Sequence, residues 1–292
     1  FFVKFKNYLE NERNYSRHTV SAYLSDIISF YNFFDFDTKN PSLITVNHVR
    51  LWIVELKQQK RLATTINRKL SSLKTYFNFC EREKFVSFNP VLKIKSLKDD
   101  KKLPIVVSQL SLQKLFDSNN IFKNNFKGTR DRFMLELFYQ TGIRLSELLS
   151  LKISDFDIFK KQVKILGKRN KQRLLPLTSS IILLFEKYNV FRHRLNSNSP
   201  FLFLTEKGQQ AYPKMIYRVV GHYLSLVSSV SKTSPHVLRH AFATHLLNNG
   251  ADLNAIKELL GHSSLLSTQV YTHISSDKIK NAYKRSHPRG EL

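Results

Sequence analysis

The chain has 292 residues, with 47 Lys+Arg against 22 Asp+Glu and a formal net charge of +25. Its apolar share of 42%, with 23 Phe and 12 Tyr, excludes a disordered basic tail, and its length favours two domains with real cores. No run approaches the roughly 18 apolar residues of a membrane span, and lysines within the apolar pattern of residues 1–10 exclude a signal peptide. The one cysteine, Cys80, excludes a disulfide framework and a Cys-rich zinc site, and fits a reducing cytoplasmic compartment. A folded protein of this charge is expected to answer to a polyanion, with nucleic acid the default and a membrane surface the rival.

Residues 1–98 read as helical. Val20, Tyr23, Leu24, Ile27, Ile28, Tyr31 and Phe34 keep the spacing of an amphipathic helix, with Ser16 upstream as its N-cap. Val46, Val49, Ile53 and Leu56 mark a second helix; Ile66, Leu70, Leu73, Phe77 and Cys80 mark a third, starting near Thr64. The faces between carry Arg50, Lys57, Arg61, Arg68, Lys69 and Lys74, a basic coat. Residues 99–107 belong to a charged, mostly non-periodic stretch between Pro90 and Pro104 and are expected to link the two domains.

Residues 108–292 are mixed. Helices are expected over 108–118, 129–139 and 145–150, then strands over 162–166 and 173–177 around a Gly167 hairpin loop, and a strand-like run at 201–204 before a turn at 205–208. Helices follow over 214–227, 236–249 and 252–260, with a last helical stretch around 278–284. The fold class is mainly α with a small β-sheet.

Several segments carry chemistry-bearing residues. Arg144 follows Gly142 at the start of a helix, where its charge opposes the helix dipole. Glu147, one turn on, lies within reach of the Arg144 backbone or guanidinium. The pair reads either as an ordinary surface ion pair or as an anion site. His236, Arg239 and His240 share one helix face, a donor surface suited to phosphate. A metal reading of these histidines fails because Val237 stands where the zinc-protease motif needs Glu. His245 reads as a satisfied core histidine. Lys168, Arg169, Lys171 and Arg173 crowd the hairpin, either as a solvated charge run or as a ribbon carrying lysine into a DNA groove. Tyr271 follows His262 by nine residues. An isolated Tyr usually packs, and as a nucleophile it needs cationic neighbours or a base to lose a proton of pKa about 10.

Taken together, these segments resemble the tyrosine recombinases (the λ-integrase family), most closely the Xer-type site-specific recombinases. In the first domain the resemblance rests on residues 15–26 and 65–73. In the second it rests on residues 141–151, Gly167-Lys168, residues 236–247, Gly250-Ala-Asp252, Leu260-Gly-His262, residues 267–273 and His287-Pro-Arg289. It implies an N-terminal helical core-binding domain and a C-terminal catalytic domain that form a C-shaped clamp around duplex DNA. Arg144 and Arg239 then look like the clamp on the scissile phosphate, Lys168 the general acid, and His236 the assistant in deprotonating Tyr271. His262 looks like a phosphate ligand, and Tyr271 like the nucleophile that forms a 3′-phosphotyrosine. Glu147 resembles a supporting acid and His240 a helper beside the site.

The resemblance implies neither ATP nor a metal cofactor, in keeping with the lack of a Walker loop and of an acidic cluster for Mg²⁺. It also implies a homo- or hetero-tetramer on two DNA sites, with C-terminal segments exchanged between neighbours so that Ile279, Ala282 and Tyr283 meet a partner. Xer-type members often work with a paralogous recombinase and a division-linked DNA translocase. The expected function is resolution of chromosome dimers. The alternatives are an integrase or transposase of a mobile element, or a non-catalytic DNA-binding protein on the same scaffold.

Overall fold

Ser16 starts the first long helix as its spacing predicts: its hydroxyl accepts the Thr19 N–H at 3.2 Å and so satisfies a helix-end donor. The computed structural model describes residues 2–36, 40–98, 106–118, 120–167, 171–229, 233–261 and 283–290. It divides into two units, Phe1–Leu103 and Pro104–Leu292, each with its own core.

In the first unit α1 (Phe2–Asn7) runs into a π-helical turn (Tyr8–Glu12), followed by α2 (Arg17–Phe34), α3 (Val46–Gln58) and α4 (Ala63–Arg82). The apolar stripes of α2, α3 and α4 close on an aromatic centre of Phe5, Phe30, Tyr31, Trp52, Tyr76 and Phe77, all buried. Edge-on ring pairs, such as Phe30 with Trp52 at 5.1 Å, let this many aromatics pack without voids. One carboxylate is buried among them. Asp26 on α2 is 3% exposed and accepts from both Arg68 nitrogens, from Lys69 Nζ at 3.1 Å and from Ser72 Oγ at 2.8 Å, all on α4. This ties α2 to α4 through charge as well as burial, and fixes two cations of the basic coat.

The second unit is built around α6 (Phe126–Thr141), which is buried on nearly every side even though it carries Arg130, Asp131, Glu136 and Gln140 among its apolar residues. Its buried charges are all partnered: Asp131 with Arg130, and Glu136 with Arg132. Around it lie α5 (Gln109–Asp117), α7 (Leu145–Ser150), α8 (Ser179–His193), α9 (Pro213–Ser225), α10 (Pro235–Asn248) and α11 (Leu253–Leu260). An antiparallel sheet is ordered β1 (Phe156–Asp157), β2 (Gln162–Leu166), β3 (Gln172–Pro176). Its register pairs Val163 with Leu175 and Ile165 with Arg173. Val163, Ile165 and Leu175 are buried, so the inner face of the hairpin packs on the core.

Two expectations are corrected, and two elements went unanticipated. The run 201–204 is not a strand: Phe201 and Leu204 make only isolated bridges, to Lys152 and Gln210. Besides backbone bonds from Leu202 N to Leu151 O and from Ala211 N to Phe203 O, its backbone groups are met by side chains. Tyr188 Oη donates to Leu202 O and accepts from Leu204 N, and Arg192 donates to Phe201 O. Helix α8 and strand β1 escape the periodicity reading. The apolar run at residues 181–185 of α8 gives no clean helical stripe, and β1 spans only two residues. Of the apolar trio expected to face a partner, Ile279 and Ala282 lie outside the described residues. Tyr283 is 1% exposed within its own chain's core.

The segment 283–290 is held closely. His287 Nδ1 can only accept from the Arg289 backbone N–H at 3.1 Å, so its Nε2 carries the proton and donates to Tyr139 O at 3.3 Å. Tyr283 stacks on the His287 ring, and Arg289 reaches Asp117 Oδ1 at 2.7 Å. Burial pushes the His287 pKa down to about 3, and the charge of Arg289 acts in the same direction. His245 is buried, pairs with Tyr139 Oη at 3.0 Å, and is also shifted down by burial, the satisfied core histidine expected. Among the described residues no helix is long and apolar enough to cross a membrane.

Two outcomes follow. Asp26→Ala removes the shared acceptor of Arg68, Lys69 and Ser72 and is expected to destabilise the first unit by about 1–3 kcal/mol in urea titrations. A change under about 0.5 kcal/mol, the size of an ordinary surface effect, would show the network to be idle. His287 folds neutral, so its contribution is complete above the unfolded pKa of about 6.5 and drains away as pH falls from there toward its folded value of about 3. Lowering pH from about 7.5 to about 5.5 should therefore cost the wild-type second unit about 1 kcal/mol more than His287→Gln, read from the pH dependence of denaturant midpoints. Parallel slopes in the two proteins would refute the assignment.

Candidate active site

The site grows from the end of α6. Gly142 terminates that helix in the left-handed region (φ +59°), its N–H bonded to Phe138 O at 2.9 Å. A Cβ there would lie 2.4 Å from the Phe242 ring on α10, so only glycine lets the two helices meet at this turn. The turn delivers Arg144 to the N-cap of α7, and its carbonyl accepts Nη1 of Arg239 from α10. Two arginines remote in sequence are thus joined through one glycine.

Glu147, 4% exposed, organises the arginines. Its carboxylate accepts the Arg144 backbone N–H at 2.8 Å and Arg144 Nη1 at 2.9 Å. From the opposite side Arg173 of β3 forks onto the same two oxygens at 2.9 and 2.7 Å. Burial works to raise the pKa of Glu147, but the hydrogen bonds from Arg173 and from the Arg144 backbone hold it below the usual carboxylate range. The sequence left Arg144 and Glu147 open as a surface pair or an anion site. The carboxylate is in fact buried and shared, while the Arg144 side chain stays 34% exposed.

The arginines also converge on the C-terminus of α11, which Gly261 closes in the left-handed region (φ +64°). Leu259 O accepts Arg173 Nε at 3.1 Å, Leu260 O accepts Arg239 Nη2 at 2.7 Å, and Gly261 O accepts Arg144 Nη2 at 3.3 Å. The carbonyl end of a helix is its negative pole, so the three guanidiniums complement the dipole of α11, although Arg144 also sits against the positive N-terminal end of α7. Burial, and after it the charge of Arg144, push the Arg239 pKa down to about 10. It remains protonated at neutral pH, in a place where positive charge is crowded.

His236 is exposed in the first turn of α10, and His240 lies one turn further on, part-buried, with no hydrogen-bond partner for Nε2 among the described residues. Lys168, His262 and Tyr271 lie outside the described residues. Gly167 and Gly261, which precede Lys168 and His262, are described. A Cβ on Gly167 would lie 3.4 Å from Arg173 Nη1, and one on Gly261 would lie 3.0 Å from the same atom. Among the described residues no group of three or more His, Cys, Asp or Glu could hold a metal ion.

Arg173 is the residue the sequence reading passed over as one charge among four in the hairpin. Strand alternation carries the missing signal. Arg173 and Leu175 share a face, and Leu175 is core, so the arginine points inward.

The chain is similar to known proteins over both units. A model of the phage integrase family matches residues 108–278, and one of the phage integrase N-terminal SAM-like domain matches residues 2–84. The chain is 37% identical to tyrosine recombinase XerC of Bacillus licheniformis, over 99% of this chain and 96% of the relative, and 37% identical to the XerC of Bacillus subtilis over the same shares. Among solved structures, the fold resembles an XerH site-specific recombinase bound to difH substrate in a pre-cleavage complex (TM-score 0.70, 23% identity, 90% of this chain and 79% of that one). It also resembles a λ integrase dimer bound to a COC′ core site (TM-score 0.68, 16% identity, 94% and 98%). With family models over both units and full-length relatives of this similarity, the chain belongs to the phage integrase family, as a tyrosine recombinase of the Xer type that breaks and rejoins DNA.

Proposed function

We propose that the chain recombines duplex DNA at specific sites, with residues 1–98 as the core-binding domain, 108–292 as the catalytic domain and 99–107 as the linker. The observation that carries the catalytic reading is the meeting of Arg144 and Arg239 on the Gly142 turn and the α11 carbonyls, with Arg239 shifted down by burial and by its neighbour's charge. Guanidiniums held this close gain from an anion between them, and their planar forks match the non-bridging oxygens of a phosphodiester. Negative charge grows on those oxygens as the phosphorus is attacked, so a preformed clamp stabilises the transition state more than the ground state.

In this reading Tyr271 Oη attacks the phosphorus and His236 takes its proton. The bond to the 5′-oxygen breaks, Lys168 protonates that oxygen, and a 3′-phosphotyrosine forms. His262 hydrogen-bonds the phosphate throughout, while Glu147 and His240 support the clamp. A 5′-hydroxyl from another strand then displaces the tyrosine, so no external energy source is needed. The protein works in the cytoplasm as a homo- or hetero-tetramer on two DNA sites. It resolves chromosome dimers together with a paralogous recombinase and a division-linked DNA translocase. The naming of its relatives as XerC supports that role.

Nicked duplexes that trap the covalent intermediate test the chemistry. Wild-type protein should form a denaturant-resistant DNA adduct without metal or nucleotide, and Tyr271→Phe should bind DNA yet form none. Arg144→Ala is expected to slow adduct formation about 10²–10³-fold. An adduct that persists in Tyr271→Phe would dismiss this nucleophile. If about 6–10 phosphates are neutralised, affinity should fall about 10³–10⁵-fold between about 50 and 200 mM salt, and a flat salt response would remove the electrostatic part of the reading.

A further inference from the structure

We propose that Arg173 is a positioning residue for strand cleavage: it neutralises Glu147 from behind, so that the charge of Arg144 stays available to the scissile phosphate, and it pins the end of α11 beside that clamp. The proposal rests on the phosphate-clamping role given to Arg144 above.

Among the described residues Arg173 gives its guanidinium to two partners. The fork Nη1 and Nη2 takes both oxygens of Glu147 at 2.9 and 2.7 Å, and Nε takes Leu259 O at 3.1 Å. Its side chain is 14% exposed against 34% for Arg144, so it stands behind Glu147 rather than beside the ligand space. Glu147 is itself 4% exposed and cannot be neutralised by water. With Arg173 present, the carboxylate has a full cationic partner and Arg144 can direct charge outward. With Arg173 removed, the buried carboxylate has Arg144 as its remaining guanidinium partner, and the two close into a neutral pair. A lysine cannot substitute, because one ammonium cannot span the bidentate carboxylate and a helix-end carbonyl together.

Place in the chain adds a second reason. Gly167 and Gly261 both abut the Arg173 guanidinium closely enough that a Cβ would touch it. Lys168 and His262 follow these glycines in sequence. One side chain therefore borders the chain just before two of the proposed cleavage residues, and it also carries the link to Arg144 through Glu147.

The test measures adduct formation on a nicked duplex alongside DNA affinity, for the full chain and for Arg173→Gln, Arg173→Lys, Glu147→Gln and the double variant Arg173→Gln/Glu147→Gln. Arg173→Gln should slow adduct formation about 10²-fold, as loss of a preorganised charge does, with DNA affinity within about threefold of wild type because it touches no exposed phosphate site. Arg173→Lys should recover only a small part of the rate. The decisive reading is the double variant: with the carboxylate charge also gone, Arg144 is released, and adduct formation should recover at least about tenfold over Arg173→Gln. A purely structural Arg173 gives the opposite order, the double variant slower than either single one, and that result overturns the proposal. So does an Arg173→Gln rate equal to wild type, or a loss of affinity that accounts for the whole effect.

If Arg173→Gln fails to fold in thermal unfolding, the comparison moves to Glu147→Gln against the double variant. Rates within about threefold support charge neutralisation, and a further drop beyond about tenfold refutes it. A wild-type protein that forms no adduct defeats the recombinase reading and this proposal together. A wild-type adduct with an indifferent Arg173→Gln defeats the proposal alone.

Discussion

The carboxylate of Glu147 has been taken out of water, and a charge so placed must be met by donors around its oxygens. Here the donors are the backbone N–H and guanidinium of Arg144, one turn away, and the guanidinium of Arg173 on β3, so satisfying one buried anion draws two stretches of chain together. The same arginines then find further acceptors in the open carbonyls of α11. Helix ends always leave such groups unpaired, and the fold uses them to anchor side chains rather than covering them with water. Position and charge are settled in one arrangement: cations that repel each other are held by an anion behind and a helix dipole beside.

Much of the architecture was legible from spacing. The stripes of α2, α3 and α4 and the cap at Ser16 follow from residues three and four apart, because tertiary packing there agrees with local preference. The failures have physical causes. In α8, Ile181, Phe185 and Tyr188 turn inward while Leu183 stays exposed, so the apolar run carries no clear period. The run at residues 201–204 has the composition of a strand, but Tyr188 and Arg192 satisfy its backbone from outside any ladder, which spacing cannot reveal.

The site was legible to a different depth. Arg144, Glu147 and Arg239 stand out in ordered motifs, and the structure brings Arg144 and Arg239 to the end of α11 with Glu147 bonded to Arg144. That Glu147 would be shared was invisible, since its second partner sits across a hairpin and only the inward phase of β3 betrays it. Nor does sequence show that Tyr283 packs into its own chain: an apolar position near a terminus reads the same whether its pocket belongs to the same molecule or to a neighbour.

The stitching of segment 283–290 onto α6 also constrains how the protein matures. Synthesis runs from the N-terminus, and domains generally close as their sequence emerges. The first unit holds all of its core within its own sequence and can close early. Arg144 leaves the ribosome before Arg173, Arg239, the α11 carbonyls and the His287 cluster that buries one flank of α6. A nascent chain therefore carries the positive charge of its first unit well before Arg144, Glu147, Arg173 and Arg239 can gather at the end of α11.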